Sequence, residues 1–289
     1  MKNNKRDLAE GLVFATFWAS ATVATKFAIR SVDAFLLTCI RFLVVGSILL
    51  LYIYLIKRNR PALPNRVEFR KLFLLGLLNI TLYMTGFLIA VQTVSAGLIS
   101  LLMATNPLIL IIMSAIFLHK KPTRNQWIGI VVCLIGLVFA CIPNLQNSHA
   151  TLLGLIALII GNTALSAGSI YYSGSKIGLP KLTVNAWQVT IGGLLFIPIV
   201  CIDPRHFHLN ADLNFFLSFA WLVIPVSIIA YALWLHLLHK DPVKAGGWLF
   251  LTPALGYLMA VVIMHEKITV YGITGALLVV AGLMYSRKK

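Results

Sequence analysis

The sequence predicts an all-α integral membrane protein: ten transmembrane helices, arranged as two inverted five-helix repeats. Three observations carry this. Of the 289 residues, 60% are apolar and only 11% charged, against about 25% charged in a globular protein, so too little polar surface remains to cover a water-soluble fold. The apolar residues form long, Leu- and Ile-rich, non-alternating runs, which excludes a closed barrel. A shift of 146 residues lays the second half of the chain on the first. Collagen, disorder and a disulfide-stapled secreted scaffold are excluded by the same composition.

A membrane-crossing helix needs about 20 mostly apolar residues. The first such run, near 9–29, follows Lys2, Lys5 and Arg6 and ends in a way that resembles a signal peptide, with Ala19-Ser20-Ala21. It is read as retained, because its removal would leave nine spans and break the repeat. The second, 34–56, carries Arg41; the third and fourth cover 71–91 and 95–118; the fifth, 125–142, is near the short limit. The sixth and seventh lie at 152–173 and 184–202. The eighth, 213–236, ends in polar residues; the ninth and tenth lie at 243–264 and 270–286. Cys39, Cys133, Cys141 and Cys201 all sit in apolar runs without CxxC or metal spacing, and read as small packing residues.

The net charge of +16, from 24 Lys and Arg against 8 Asp and Glu, checks the count. With the N-terminus cytoplasmic, 19 of the basic residues fall in cytoplasmic segments and only Arg30, Arg205 and Lys267 outside. Lys26 and Arg41 complete the total, within or at the margin of spans. A missed helix would scramble this split. Both termini are therefore expected inside, in a cell (inner) membrane rich in anionic lipid headgroups; the charge is read as topology signal and lipid contact, not nucleic-acid binding.

At the 146-residue shift Pro107 falls on Pro253, Met113 on Met259, His119 on His265, Lys121 on Lys267, Gly129 on Gly275 and Gly136 on Gly282. A shift of 147 places Gly46 on Gly193 and Arg41 on Gln188. Each half, 1–146 and 147–289, holds five spans, an odd number, so the second must thread the bilayer in the opposite sense. The loops agree: His119-Lys120-Lys121 is strongly basic, His265-Glu266-Lys267 nearly neutral. Inverted repeats are a signature of secondary transporters, whose two halves exchange conformations around a central site.

At this point the chain resembles the drug/metabolite transporter superfamily, in its ten-helix EamA-type branch. The resemblance rests on the paired halves, Trp18-Ala19-Ser20 with Lys26, Arg41-Phe42 with Gly46, Pro107 followed by the 119–121 turn, Gly129 and Gly136, and the second-half counterparts Pro253, His265-Glu266-Lys267, Gly275 and Gly282. Glu266 matches the family's usual Gly-Glu turn; Lys120 stands where the first half usually has that glutamate. Members export or import amino acids, nucleobases, sugars, vitamins or other metabolites. The resemblance implies a cavity formed by the first, third, fourth, sixth, eighth and ninth spans.

A polar group left uncompensated in hydrocarbon costs several kcal/mol, so polar side chains at bilayer depth should face the interior, to meet cargo or to bond neighbouring helices. On the implied spans these include Trp18, Thr22, Tyr83, Asn106, Asn162, Tyr231, Trp248 and Thr252, the expected substrate contacts, with Ser166, Ser169 and Trp234 beside them. Pro107 and Pro253 break the helical ladder one turn back and are candidate hinges or gates, with freed carbonyls that could bind cargo or water. Lys26 and Arg41 are intramembrane cations, functional candidates by default. Lys26 could snorkel to the interface; Arg41 could hold an anionic group or tie helix-end carbonyls, and Gln188 at its mirrored position keeps hydrogen bonding without charge.

The expected function is secondary transport of a small polar or amphipathic metabolite by alternating access. Amino-acid export is the first cargo to consider, by uniport or exchange. A proton-coupled drug or metabolite antiporter is the alternative, with His236 the one imidazole near a span. An enzyme acting on lipid-linked substrate would need a constellation such as HExxH, which is absent. His206-x-His208 with Asp203 and Asp212 reads as a solvated turn. No catalytic residue, metal or cofactor is expected, and oligomeric state stays open.

Overall fold

The computed structural model describes residues 2–103, 105–117, 119, 122–146, 150–202, 208–240, 248–249 and 251–286. Lys120, Lys121, Asp203, Arg205, His206, Lys244, Arg287, Lys288 and Lys289 lie outside these, as do the side chains of Lys2, Lys5, Arg6, Pro107 and Cys141. The described chain is all-helical, with two isolated bridges, Val32 to Leu209 and Val94 to Ala150.

The helices are α1 (Lys2–Ala28), α2 (Ala34–Ile56), α3 (Arg66–Thr93), α4 (Ala96–Leu102), α5 (Thr105–Phe117), α6 (Arg124–Gln146), α7 (Leu152–Gly174), α8 (Lys181–Ile202), α9 (Leu213–Lys240), α10 (Leu251–Met264) and α11 (Val270–Ser286). Leu8–Ala28 of α1 and the whole of α2, α3, α7, α8 and α9 are long and apolar enough to cross a membrane; Leu108–Phe117, α10 and Val270–Gly282 are shorter apolar helices. With so little charge along these stretches, the backbone must satisfy itself internally.

Two boundaries differ from expectation. The run expected from 71 starts at Arg66, because Asn65 and Glu68 form a capping box: Asn65 Oδ1 accepts from Val67 N and Glu68 N, and Glu68 Oε2 accepts from Asn65 N at 3.1 Å. The run expected over 95–118 is two helices, α4 and α5. Proline explains where the second begins. Pro107 is in the first turn of α5 and Pro253 in the first turn of α10, where the missing N–H costs nothing. Pro253 cannot bond the Leu249 carbonyl, and Thr252 Oγ1 donates to it instead at 2.7 Å; the carbonyl that Pro107 cannot bond, Met103 O, accepts from Asn106 N at 3.1 Å.

Glycines let helices meet backbone to backbone. On the α2–α8 seam Gly46 abuts Thr190, and Gly193 abuts Leu43. On α3–α7, Gly86 abuts Ala157, and Gly161 abuts Tyr83. On α6–α11, Gly136 faces Gly275, and Gly282 faces Gly129. Helix ends are pinned as well. Asp33 Oδ1 caps α2 through Phe35 N and Leu36 N, both at 2.9 Å. Asp212 caps α9 through Phe215 N and accepts from Ser31 Oγ at 3.0 Å, while Asn214 Nδ2 donates to Phe27 O. Asp212 is thus committed to structure. His119 and His265 both adopt left-handed backbone, φ 52° and 54°, in the turns that follow α5 and α10.

Candidate functional site

Packing α1, α2, α3 and α4 against α9 and α10 leaves a central cavity, with about 660 Å3 of atom-free space when its open mouth is counted. Two helices widen locally where they reach it. In α3, Gly76–Leu82 forms wide π turns that bring Asn79 and Ile80 to the wall; in α9, Leu222–Ala230 does the same for Val226 and Ser227. The two stretches begin 146 residues apart. Such widenings are frequent at functional sites because they re-aim side chains without ending the helix.

Of the residues expected at the site, Trp18, Thr22, Tyr83, Tyr231, Thr252 and Arg41 line this cavity together. Trp18 leans on Phe14, Tyr231 and Trp234, with ring centroids 5.4, 6.0 and 6.2 Å away, so one wall is a rigid aromatic cluster. Phe42 and Phe87 add further rings, Met84 and Met103 adaptable thioethers. Among the described residues the lining holds one cation, Arg41, and no carboxylate or imidazole. Arg41 is 5% exposed; its Nε donates to Ser227 Oγ at 2.8 Å and its guanidinium carbon sits 5.0 Å from the Phe42 ring centre.

The other expected contacts lie elsewhere. Ser166 Oγ donates to Asn106 Oδ1 at 3.0 Å, and Asn162 Nδ2 donates to Thr105 Oγ1 at 2.9 Å, so both asparagines fasten α7 to the start of α5. Asn162→Ala should cost about 1 kcal/mol, the scale of interhelical hydrogen bonds in membranes, read as a lower unfolding midpoint in detergent. Trp248 packs on Gly11 of α1. Gln188 is fully buried in an amide chain, Asn79 Nδ2 to Gln188 Oε1 at 3.3 Å and Gln188 Nε2 to Asn185 Oδ1 at 3.4 Å. Lys26 Nζ donates to Val94 O, at the end of α3, at 2.7 Å. His236 sits near the end of α9 with Glu10 at 3.5 Å and Lys181 at 3.1 Å, away from the cavity lining.

Sequence reasoning missed Thr25, Asn79, Ser100 and Ser227, all on the wall. Each is polar within an apolar run, the signal used for the others. Ser227 was the hardest to find, because only the fold puts it beside Arg41, 186 positions away.

The EamA-like transporter family model matches the chain twice, over residues 9–142 and 152–287. An uncharacterized transporter of Archaeoglobus fulgidus is 27% identical over 273 residues, 93% of this chain and 94% of that one. The uncharacterized inner membrane transporter YedA of Escherichia coli K12 is 25% identical over 254 residues, 86% of this chain and 80% of its own. A solved crystal structure matches with a TM-score of 0.72 at 17% identity, over 98% of this chain and 96% of the other. At that identity the likeness is one of fold.

Proposed function

The chain belongs to the EamA-like transporter family, and from that premise we propose that it moves a small polar or amphipathic metabolite across the cytoplasmic membrane by alternating access. Ten membrane-crossing segments form two inverted halves, 1–146 and 147–289, with both termini cytoplasmic. Amino acids, moved outward, are the first cargo to test. The observation that carries the reading is the cavity itself: Trp18, Arg41 and Tyr83 reach it from the first half, Ser227, Tyr231 and Thr252 from the second. Rocking one half against the other would expose such a site to either side in turn.

Inversion is supported by features recurring at the same shift: the left-handed His119 and His265, the widenings that begin at Gly76 and Leu222, and the reciprocal contacts of Gly136 and Gly282. A lining without carboxylate or imidazole among the described residues favours uniport or exchange over proton antiport. Pro107 and Pro253, each opening a helix beside the cavity, are the proposed hinges.

Two measurements test this. Counterflow in proteoliposomes loaded with amino acids and a wider metabolite panel should show saturable exchange, and its absence for every solute removes the transport reading. Reporter tags at residues 119 and 265 should lie on opposite sides of the membrane; a shared compartment removes the inversion. Pro107→Ala and Pro253→Ala should each slow exchange several-fold while the protein still inserts, since a hinge acts on interconversion rather than on folding.

A further inference from the structure

Arg41 is a cation buried at bilayer depth with part of its hydrogen-bonding capacity unused. Ser227 occupies Nε, and among the described residues Nη1 and Nη2 make no hydrogen bond and no ion pair. Burying a charge without a partner is costly, and the usual resolution is a counter-ion. Among the described residues the cavity wall supplies none. Glu266 is taken up by Ala96 N and Gly97 N at the start of α4.

The geometry is selective. With Nε held, the guanidinium presents its end-on fork of two nitrogens, which matches the two oxygens of a carboxylate. One cation neutralises one negative charge, so a monoanion leaves the loaded site neutral, while a dianion would carry a surplus. Asn79 and Ser100 add polar side chains to the same wall. The remaining wall, with Trp18, Phe87 and Tyr231, suits a flat apolar body.

Resting on the transport reading above, we infer that the cavity is a binding site for an aromatic monocarboxylate, with its carboxylate on the Arg41 Nη fork and its ring among the aromatic side chains. A cationic amphiphile is rejected, because it would place two like charges in one desolvated chamber. A zwitterion is accepted less well, because its ammonium group meets no acidic side chain among the described residues there.

The test varies charge across closely related phenyl compounds. Phenylacetate, 2-phenylacetamide, phenethylamine and phenylalanine are titrated against the purified full chain in detergent, with ligand-dependent thermal stabilisation giving Kd. Phenylacetate should bind about 10- to 100-fold more tightly than the isosteric amide, the scale of one charge-assisted bidentate contact, with phenylalanine between and phenethylamine without effect. Arg41→Gln should erase the preference for acid over amide, and Arg41→Lys should keep part of it. Equal binding of acid and amide overturns the inference, as does an Arg41→Gln protein that keeps the preference, or a wild-type protein that none of the four stabilises. The wild-type acid–amide pair decides the matter even if Arg41→Gln fails to fold. Uptake by proteoliposomes separates the two readings. Arg41-dependent binding without flux leaves the site standing and removes transport; flux of any solute, with no acid–amide preference, does the reverse.

Discussion

Glu266→Ala should lower the stability of the protein by about 3 kcal/mol, among the largest losses expected from any single polar side chain here. The carboxylate accepts from Ala96 N at 2.8 Å and from Gly97 N at 2.9 Å, two of the orphan donors that open α4. Ser95 Oγ, accepting from Leu98 N at 3.3 Å, takes a third. Glu266 follows the left-handed His265 turn after α10, so this cap joins elements 169 and 170 positions apart. A hydrogen bond to a charged group contributes about 1.5–3 kcal/mol, and stranding two donors in an apolar setting accounts for the total. Lys26 is attracted to the same carboxylate while holding Val94 O. Two controls make the claim sharp. Glu266→Gln keeps one accepting oxygen and should lose about half as much. Gly97→Ala should approach the effect of Glu266→Ala from the other side, because its methyl would stand 2.7 Å from Glu266 Oε2. Denaturant midpoints in detergent measure all three. Lys26→Met should cost less in the Glu266→Ala background than in the wild type; additive costs would show that the two residues are not coupled.

Much of the architecture was legible from composition, because only long apolar helices satisfy the backbone in lipid. Inside each helix the sequence says less. In a soluble protein the wet face is polar, so periodicity reveals which side is buried. In a bilayer the lipid-facing and core-facing sides are equally apolar. Leu194 is 52% exposed on α8 while Val189, on the same helix, is 0% exposed, and nothing about their chemistry separates them. Polar residues therefore carried the whole reading of the interior, and they mark two different things. Tyr83, Tyr231 and Thr252 face the cavity, whereas Asn106 and Asn162 are consumed by Ser166 and Thr105 between α5 and α7. Distinguishing the two kinds requires knowing which partner lies across the seam. The π widening at Gly76 is hidden for a related reason: it contains no proline and lies where Gly76 packs against the Gln188 carbonyl, whereas the one at Leu222 contains Pro225, which removes an N–H from the ladder.

The α6–α11 seam gives the second large effect, and its symmetry makes it unusually testable. A methyl group at Gly136 would stand 2.8 Å from Gly275 O and 2.9 Å from Val279 N; one at Gly282 would stand 2.7 Å from Gly129 O and 2.9 Å from Cys133 N. These neighbours are backbone atoms of helices, which cannot swing aside as a side chain end can. Cys133 Sγ, donating to Val279 O at 3.3 Å, lies between the two contacts. Alanine at either position must therefore push the helices apart, at about 2–3 kcal/mol, the upper range for overpacking, and leucine should abolish a folded product. The contacts are near-equivalent, so Gly136→Ala and Gly282→Ala should cost the same within about 0.5 kcal/mol. The double variant should cost clearly less than their sum, because the first methyl opens the seam that the second would otherwise have to force. No described residue of α6 or α11 lines the cavity, so the surviving folded fraction of either single variant should bind ligand with unchanged Kd. A Gly136→Ala protein as stable as the wild type would contradict the close packing itself, and strict additivity would mean that the two glycines guard independent contacts rather than one rigid joint.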